Sequence, residues 1–126
     1  ARPGLPKVGR RCYAAPMGPI PPLIADAVQE MAARTRSLFG ARVRDVRLFG
    51  SWARGEAGPM SDVDVFVLLE GATRQEERML LDVAADIFTR RQVDVMPLVM
   101  LPEVHARMEA HDRRLVRDIA LEGIPL

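Results

Sequence analysis

The chain has 126 residues, 48% of them hydrophobic, and a formal net charge of +1 at pH 7. That length fits one domain with a real core. The near-zero net charge removes any global electrostatic argument for direct nucleic-acid binding. No apolar run approaches the roughly 20 residues that cross a bilayer, so no membrane partner is expected. Cys12 is the single cysteine, and Lys7 the only lysine. One cysteine excludes an intrachain disulfide and a cysteine-built zinc centre, and it fits a reducing, cytoplasmic setting. The N-terminal stretch is rich in Pro and Gly and has no signal-peptide pattern.

Pro3, Pro6, Pro16, Pro19, Pro21 and Pro22 forbid regular helix or central strand. Residues 1–22 are therefore expected to form an extended, loosely attached tail, with the domain proper at 23–126. From Leu23 to Phe39, Ile24, Val28, Met31 and Leu38 fall near one helical face, and Gly40 stops the helix. Val43, Val46, Leu48 and Phe49 suggest a first strand running into Gly50-Ser51, after which residues to about Gly55 open a short helix. Asp62 to Leu69 alternates as a second strand with Val63, Val65 and Val67 on one face. Thr73 and Glu76 have capping-box spacing, and Leu80, Val83, Ala84 and Ile87 make the buried stripe of the helix that follows. Gln92 to Val99 reads as a third strand ended near Pro97. Beyond Pro102 the pattern is mostly helical, with Leu115, Val116 and Ile119 apolar and Gly123 as cap. The fold class is α/β (α+β): a small mixed β-sheet flanked by helices.

The polar stretch Gly50 to Asp64 holds the chemistry. Asp62 and Asp64 project from one strand face, opposite Val63 and Val65. Close carboxylates raise each other's pKa unless a cation sits between them, and a hard divalent ion takes oxygen ligands. Such pairs also occur on solvated strand faces without any metal. Gly50 lets an anion approach the backbone closely. N–H groups at the following helix start favour negative charge, and Ser51 can donate to a phosphate. The plain alternative is a strand-to-helix turn with Ser51 as N-cap. Asp94, flanked by Val93 and Val95, faces away from the core if those valines face inward. On an adjacent strand it could join Asp62 and Asp64. Trp52 reads as a packing residue, Met60 as loop packing, and His105 and His111 as surface residues.

Gly50-Ser51, a ten-residue spacer, Asp62-Val63-Asp64 and a downstream Asp94 together resemble the nucleotidyltransferase superfamily related to DNA polymerase beta. "GSWARGEAGPMSDVDVFVLL" and "LVRDIALEGIPL" resemble its minimal nucleotidyltransferase (MNT) branch, which includes antitoxins encoded beside HEPN-domain toxins. The likeness covers roughly residues 23–126. It implies a polymerase beta-like nucleotidyltransferase fold with two Mg²⁺ ions and ATP as substrate. Asp62 and Asp64 would bind both ions. Asp94 would bind the catalytic ion and help deprotonate the acceptor. Gly50 and Ser51 would hold the β- and γ-phosphates. Arg54 would brace the loop through a carboxylate or meet a phosphate.

Larger relatives that modify antibiotics carry a helical acceptor-binding domain. A chain without such a domain would be expected to take its acceptor surface from another subunit or from the acceptor itself. The resemblance therefore implies transfer of AMP to a hydroxyl, a tyrosine's, on a HEPN-type toxin, with the chain acting as antitoxin. Two alternatives stand beside it. One is an antitoxin that masks its toxin with little or no catalysis. The other is a small-molecule, aminoglycoside-like nucleotidyltransferase, which would need a homo-oligomer to close its acceptor pocket.

Overall fold

In the computed structural model, which describes residues 20–58 and 61–126, helix α1 (Pro22–Phe39) begins one residue before the expected Leu23. Proline suits a first helical turn, where its missing N–H leaves no intrahelical bond unmade. Ala27, Val28, Met31, Ala32, Thr35 and Phe39 are buried along α1, a stripe of helical period. Leu38, assigned to that stripe from the sequence, is instead 45% exposed. Phe39 lies four residues after Thr35 and continues the face, so Leu38 falls beside it. Gly40, with φ of 57°, ends the helix as expected. Residues 1–19, and with them Cys12, lie outside the described residues, as does Met60. Ile20 packs into the core.

Strand β1 (Val43–Phe49) leads into the short helix α2 (Ser51–Arg54), and β2 (Val63–Leu69) follows. Helix α3 (Arg74–Arg91) opens with both halves of the capping box in place: the Thr73 hydroxyl accepts from the Glu76 N–H, and Glu76 accepts from the Thr73 N–H, each at 3.1 Å. Its predicted stripe, Leu80, Val83, Ala84 and Ile87, is buried. Gln92 takes a left-handed conformation (φ 58°) to cap α3. Strand β3 (Val95–Met100) therefore starts three residues later than expected.

Pro97 sits inside β3 rather than at its end, because β3 is an edge strand. Its neighbour β2 runs parallel to it, and the Val63 N–H donates to the Asp94 carbonyl at 2.9 Å. Alternate residues of a parallel ladder face the neighbour. That parity turns the Pro97 nitrogen to the open edge, where no donor is needed. Helices α4 (Pro102–Ala110) and α5 (Arg114–Glu122) come next. Val116 and Ile119 are buried, whereas Leu115 is 38% exposed. A fourth strand, β4 (Ile124–Pro125), was not foreseen; it pairs antiparallel with β1 through Leu48 and Arg47. Two residues are too few to show a period.

The four strands form one mixed sheet in the order β3-β2-β1-β4, with β1 antiparallel to both β2 and β4. α1 and α3 cover one face, over a core that includes Val46, Leu48, Val63, Val65, Val67 and Leu69. On the other face Phe66 and Met100 pack with Val116 and Ile119 of α5, beside Val104 and Met108 of α4. This topology fixes the site's position. The antiparallel turn sets the end of β1 beside the start of β2, and the parallel crossover sets the start of β3 there as well. Gly50, Asp62 and Asp94 therefore meet at one end of the sheet.

Candidate active site

Gly50 occupies the N-cap of α2 with φ 78° and ψ −156°, a region open essentially to glycine alone. The register pairs Phe49 with Asp64, so the Asp64 side chain lies directly over the turn. A Cβ on Gly50 would collide with Asp64 Oδ2 and stand 3.3 Å from Asp64 Cγ. Glycine is thus required twice, by conformation and by the carboxylate packed on it. The expected alternative of Ser51 as N-cap does not hold. Gly50 has that place, Ser51 is the first helical residue, and no side chain caps α2.

Asp62 is exposed just ahead of β2, and Asp94 is exposed just ahead of β3. The parallel register Val63↔Val95 and Asp64↔Met96 sets Asp62 beside Asp94 and Asp64 beside Met96. Val63, Val65, Val93 and Val95 are buried toward α1 and α3, so the three aspartates share the opposite side, as the alternation predicts. Burial pushes the Asp64 carboxyl above the ordinary carboxylate value, the Asp62 charge pushes it further, and Arg54 partly offsets both. Asp94 is likewise raised, by burial first, then by the Asp62 charge and a hydrogen bond to Asp62.

Asp62 is therefore the common member, facing Asp94 and felt by Asp64. Among the described residues no three acidic, histidine or cysteine side chains close into a ready-made metal cage. What the residues offer is an open carboxylate row whose mutual repulsion a divalent cation would relieve, and oxygen donors of this kind suit Mg²⁺. Nearby cations are engaged elsewhere. Arg54 donates from Nε to Glu56 at 2.9 Å and pairs with Glu122 at 3.6 Å, and Arg47 pairs with Asp45 at 2.7 Å. Arg54 thus has carboxylate partners both in its own loop and on α5.

Trp52 packs against the main core, and its indole N–H donates to the Ser61 carbonyl at 3.3 Å. Its packing role was legible in the sequence but this bond was not, because a backbone carbonyl leaves no signature in residue types. His105 is half-buried with its ring centroid 5.9 Å from that of Phe66, not a free surface residue, since α4 lies over the sheet there. His111 is exposed. Phe49 and Met96 flank Asp64 in the register and were not singled out beforehand. No helix among the described residues is long and apolar enough to cross a membrane.

Residues 28–124 match the pattern of the nucleotidyltransferase domain family. MJ1305 of Methanocaldococcus jannaschii, named provisionally as a protein adenylyltransferase, is 25% identical over 83 residues. That match takes in 64% of this chain and 56% of the relative, so the chain spans little more than half the length of the curated relative it matches. Among solved structures, a crystal structure of a toxin-antitoxin with AMP-PNP superposes with a TM-score of 0.53 at 16% identity, over 77% of this chain and 70% of the other. That likeness shows a common fold.

Proposed function

This chain belongs to the nucleotidyltransferase domain family, and we propose that it transfers AMP from ATP to a hydroxyl, a tyrosine's, on a partner toxin of the HEPN type, acting as its antitoxin. The observation that carries this reading is the pairing of two features at one end of the sheet. A glycine turn lies packed against Asp64, and Asp62 and Asp94 stand side by side next to it through the parallel register of β2 and β3. Asp62 and Asp64 would hold two Mg²⁺ ions, with Asp94 on the catalytic one. Bound there, the ions would supply the positive charge that acidifies the attacking hydroxyl and neutralises leaving pyrophosphate.

The chain's own groups do the rest. The Gly50–Ser51 turn receives the β- and γ-phosphates, its backbone N–H groups free of any side-chain cap. Arg54 steadies the turn through Glu56 and Glu122 and adds positive charge near Asp64. Asp94, its carboxyl raised above the ordinary carboxylate value by burial and by Asp62, takes up the proton of the acceptor hydroxyl. The hydroxyl oxygen attacks the α-phosphorus as the bond to pyrophosphate breaks. The name of the Methanocaldococcus relative supports a protein acceptor. The toxin partner and the tyrosine are drawn from the sequence resemblance, and the fold neighbour is itself a toxin-antitoxin.

The test uses α-labelled ATP and Mg²⁺ with this protein, the product of the neighbouring gene, and an Asp62→Ala control. Label on the partner that depends on Asp62, and disappears with EDTA, supports the reading, and mapping the labelled residue names the acceptor. A tight inactive complex without label favours neutralisation by masking instead.

A further inference from the structure

Trp52 is the chain's only tryptophan. It stands at the second position of α2, directly after the Gly50–Ser51 turn, with its ring against the main core. Its indole N–H reaches the carbonyl of Ser61, the residue that precedes Asp62. Ser61 is held from Gly58 too: its N–H donates to the Gly58 carbonyl at 3.1 Å, and its hydroxyl accepts from the Gly58 N–H at 3.0 Å. On the other side of Asp62, the Val63 N–H is fixed on the Asp94 carbonyl. Asp62 itself is exposed, so its placement comes from its backbone. That backbone is anchored by the sheet on one side and by Trp52 on the other.

We propose that Trp52 is a positioning residue: its indole N–H ties the nucleotide turn to Ser61 and thereby sets the Asp62 carboxylate for a divalent cation. This rests on the reading of Asp62 as a cation ligand. A rigid, core-packed ring with a single donor suits the task, because it has little freedom to lose when the bond forms. A phenylalanine would keep the packing and remove only the donor. A net hydrogen bond of this kind is worth about three- to tenfold in an equilibrium.

The test measures Mn²⁺ binding by electron paramagnetic resonance for the wild type, Trp52→Phe and Asp62→Ala, with thermal melts of each. The expected result has three parts: binding in the wild type, its loss in Asp62→Ala, and binding about three- to tenfold weaker in Trp52→Phe, with a melting temperature lowered by no more than the loss of one hydrogen bond. The Mg²⁺ concentration for half-maximal transfer should rise by the same factor, with the rate at saturating Mg²⁺ retained. Equal Mn²⁺ binding by wild type and Trp52→Phe overturns the positioning role while leaving the site reading intact. Mn²⁺ binding that survives Asp62→Ala overturns the site reading and this inference with it. Should Trp52→Phe melt early, the wild type decides through its lone indole. A shift of that emission on adding Mg²⁺, absent in Asp62→Ala, supports the link between the indole and the cation site, and an emission that ignores Mg²⁺ overturns it.

Discussion

Gly50 and Asp64 are coupled more tightly than their spacing in the chain suggests. The turn needs a backbone conformation that glycine alone adopts freely, and the Asp64 carboxylate fills the space where a side chain would stand. Gly50→Ala is expected to lower the unfolding free energy by about 1–3 kcal/mol from backbone strain and to displace Asp64 as well. Urea denaturation reads the first effect and cation binding the second; an unchanged midpoint would show that the turn relaxes without strain. Asp64 makes a second prediction. Its carboxyl lies above the ordinary 3.8, through burial first and the Asp62 charge second. The folded chain therefore holds that proton more tightly than the unfolded chain does, and ionising the group costs stability. The cost is absent below the unfolded value, sets in as pH rises through the folded value, and persists at neutral pH. Asp64→Asn should melt no lower than the wild type at pH 7, and any gain should vanish below about pH 4, while transfer is lost. A clear drop in melting temperature at pH 7 would mean that Asp64 serves the fold rather than a cation.

At the scale of elements, α1 and α3 are joined by charge as well as by their apolar faces. Glu30 of α1 accepts from Arg34 at 3.1 Å and from Arg91 at 2.7 Å, and it also meets Arg90. Asp86 of α3 takes Arg34 at 2.6 Å and Arg90 at 2.9 Å. The arginines, Arg90 first, hold the Glu30 carboxyl down at about 2 against an ordinary 4.5. The stability this network contributes is therefore complete above about pH 4.5 and lost as pH falls toward 2. Glu30→Gln should cost about 1 kcal/mol at pH 7, the upper end for partly exposed pairs. The gap to wild type should close across that acid window in urea titrations at pH 7, 4 and 2.5, and a pH-independent gap would contradict the ionic origin. The sequence announced both helices through a 3.6-residue stripe along each and, for α3, a capping box, whereas Pro22, read as part of the tail, opens α1. It announced β2 through the alternation of Val63, Val65 and Val67 with Asp64. It did not announce Pro97 inside β3 or the existence of β4, since both depend on which strand ends up at the sheet's edge. That is a tertiary fact, and propensity cannot express it. The Gly50–Asp64 spacing was legible as a motif. Asp94 was expected to join the other acids on condition that its strand lay beside β2, and only the parallel register of β2 and β3 meets that condition.

The whole molecule is a sheet with one helical layer on each face, and its candidate chemistry lies at the sheet end where β1 finishes and β2 and β3 begin. Each of the three strands contributes through a residue just outside its regular ladder: Gly50 after β1, Asp62 before β2, Asp94 before β3. In the unfolded chain these residues have no fixed relation, so a nucleotide and its cation should bind the folded form alone. Binding to the native state only stabilises by an amount set by concentration over Kd, about 2.7 kcal/mol at a hundredfold excess. An unreactive ATP analogue with Mg²⁺ should therefore raise the melting temperature of the wild type, and the rise should grow with the logarithm of ligand concentration. Asp62→Ala should remove most of that rise without lowering the melting temperature of the free protein, because it relieves a crowded carboxylate couple and touches no core contact. The analogue with EDTA should give a smaller rise than with Mg²⁺ in the wild type and the same small rise in the variant. Equal stabilisation of both proteins by the Mg²⁺ complex would place nucleotide binding away from this end of the sheet.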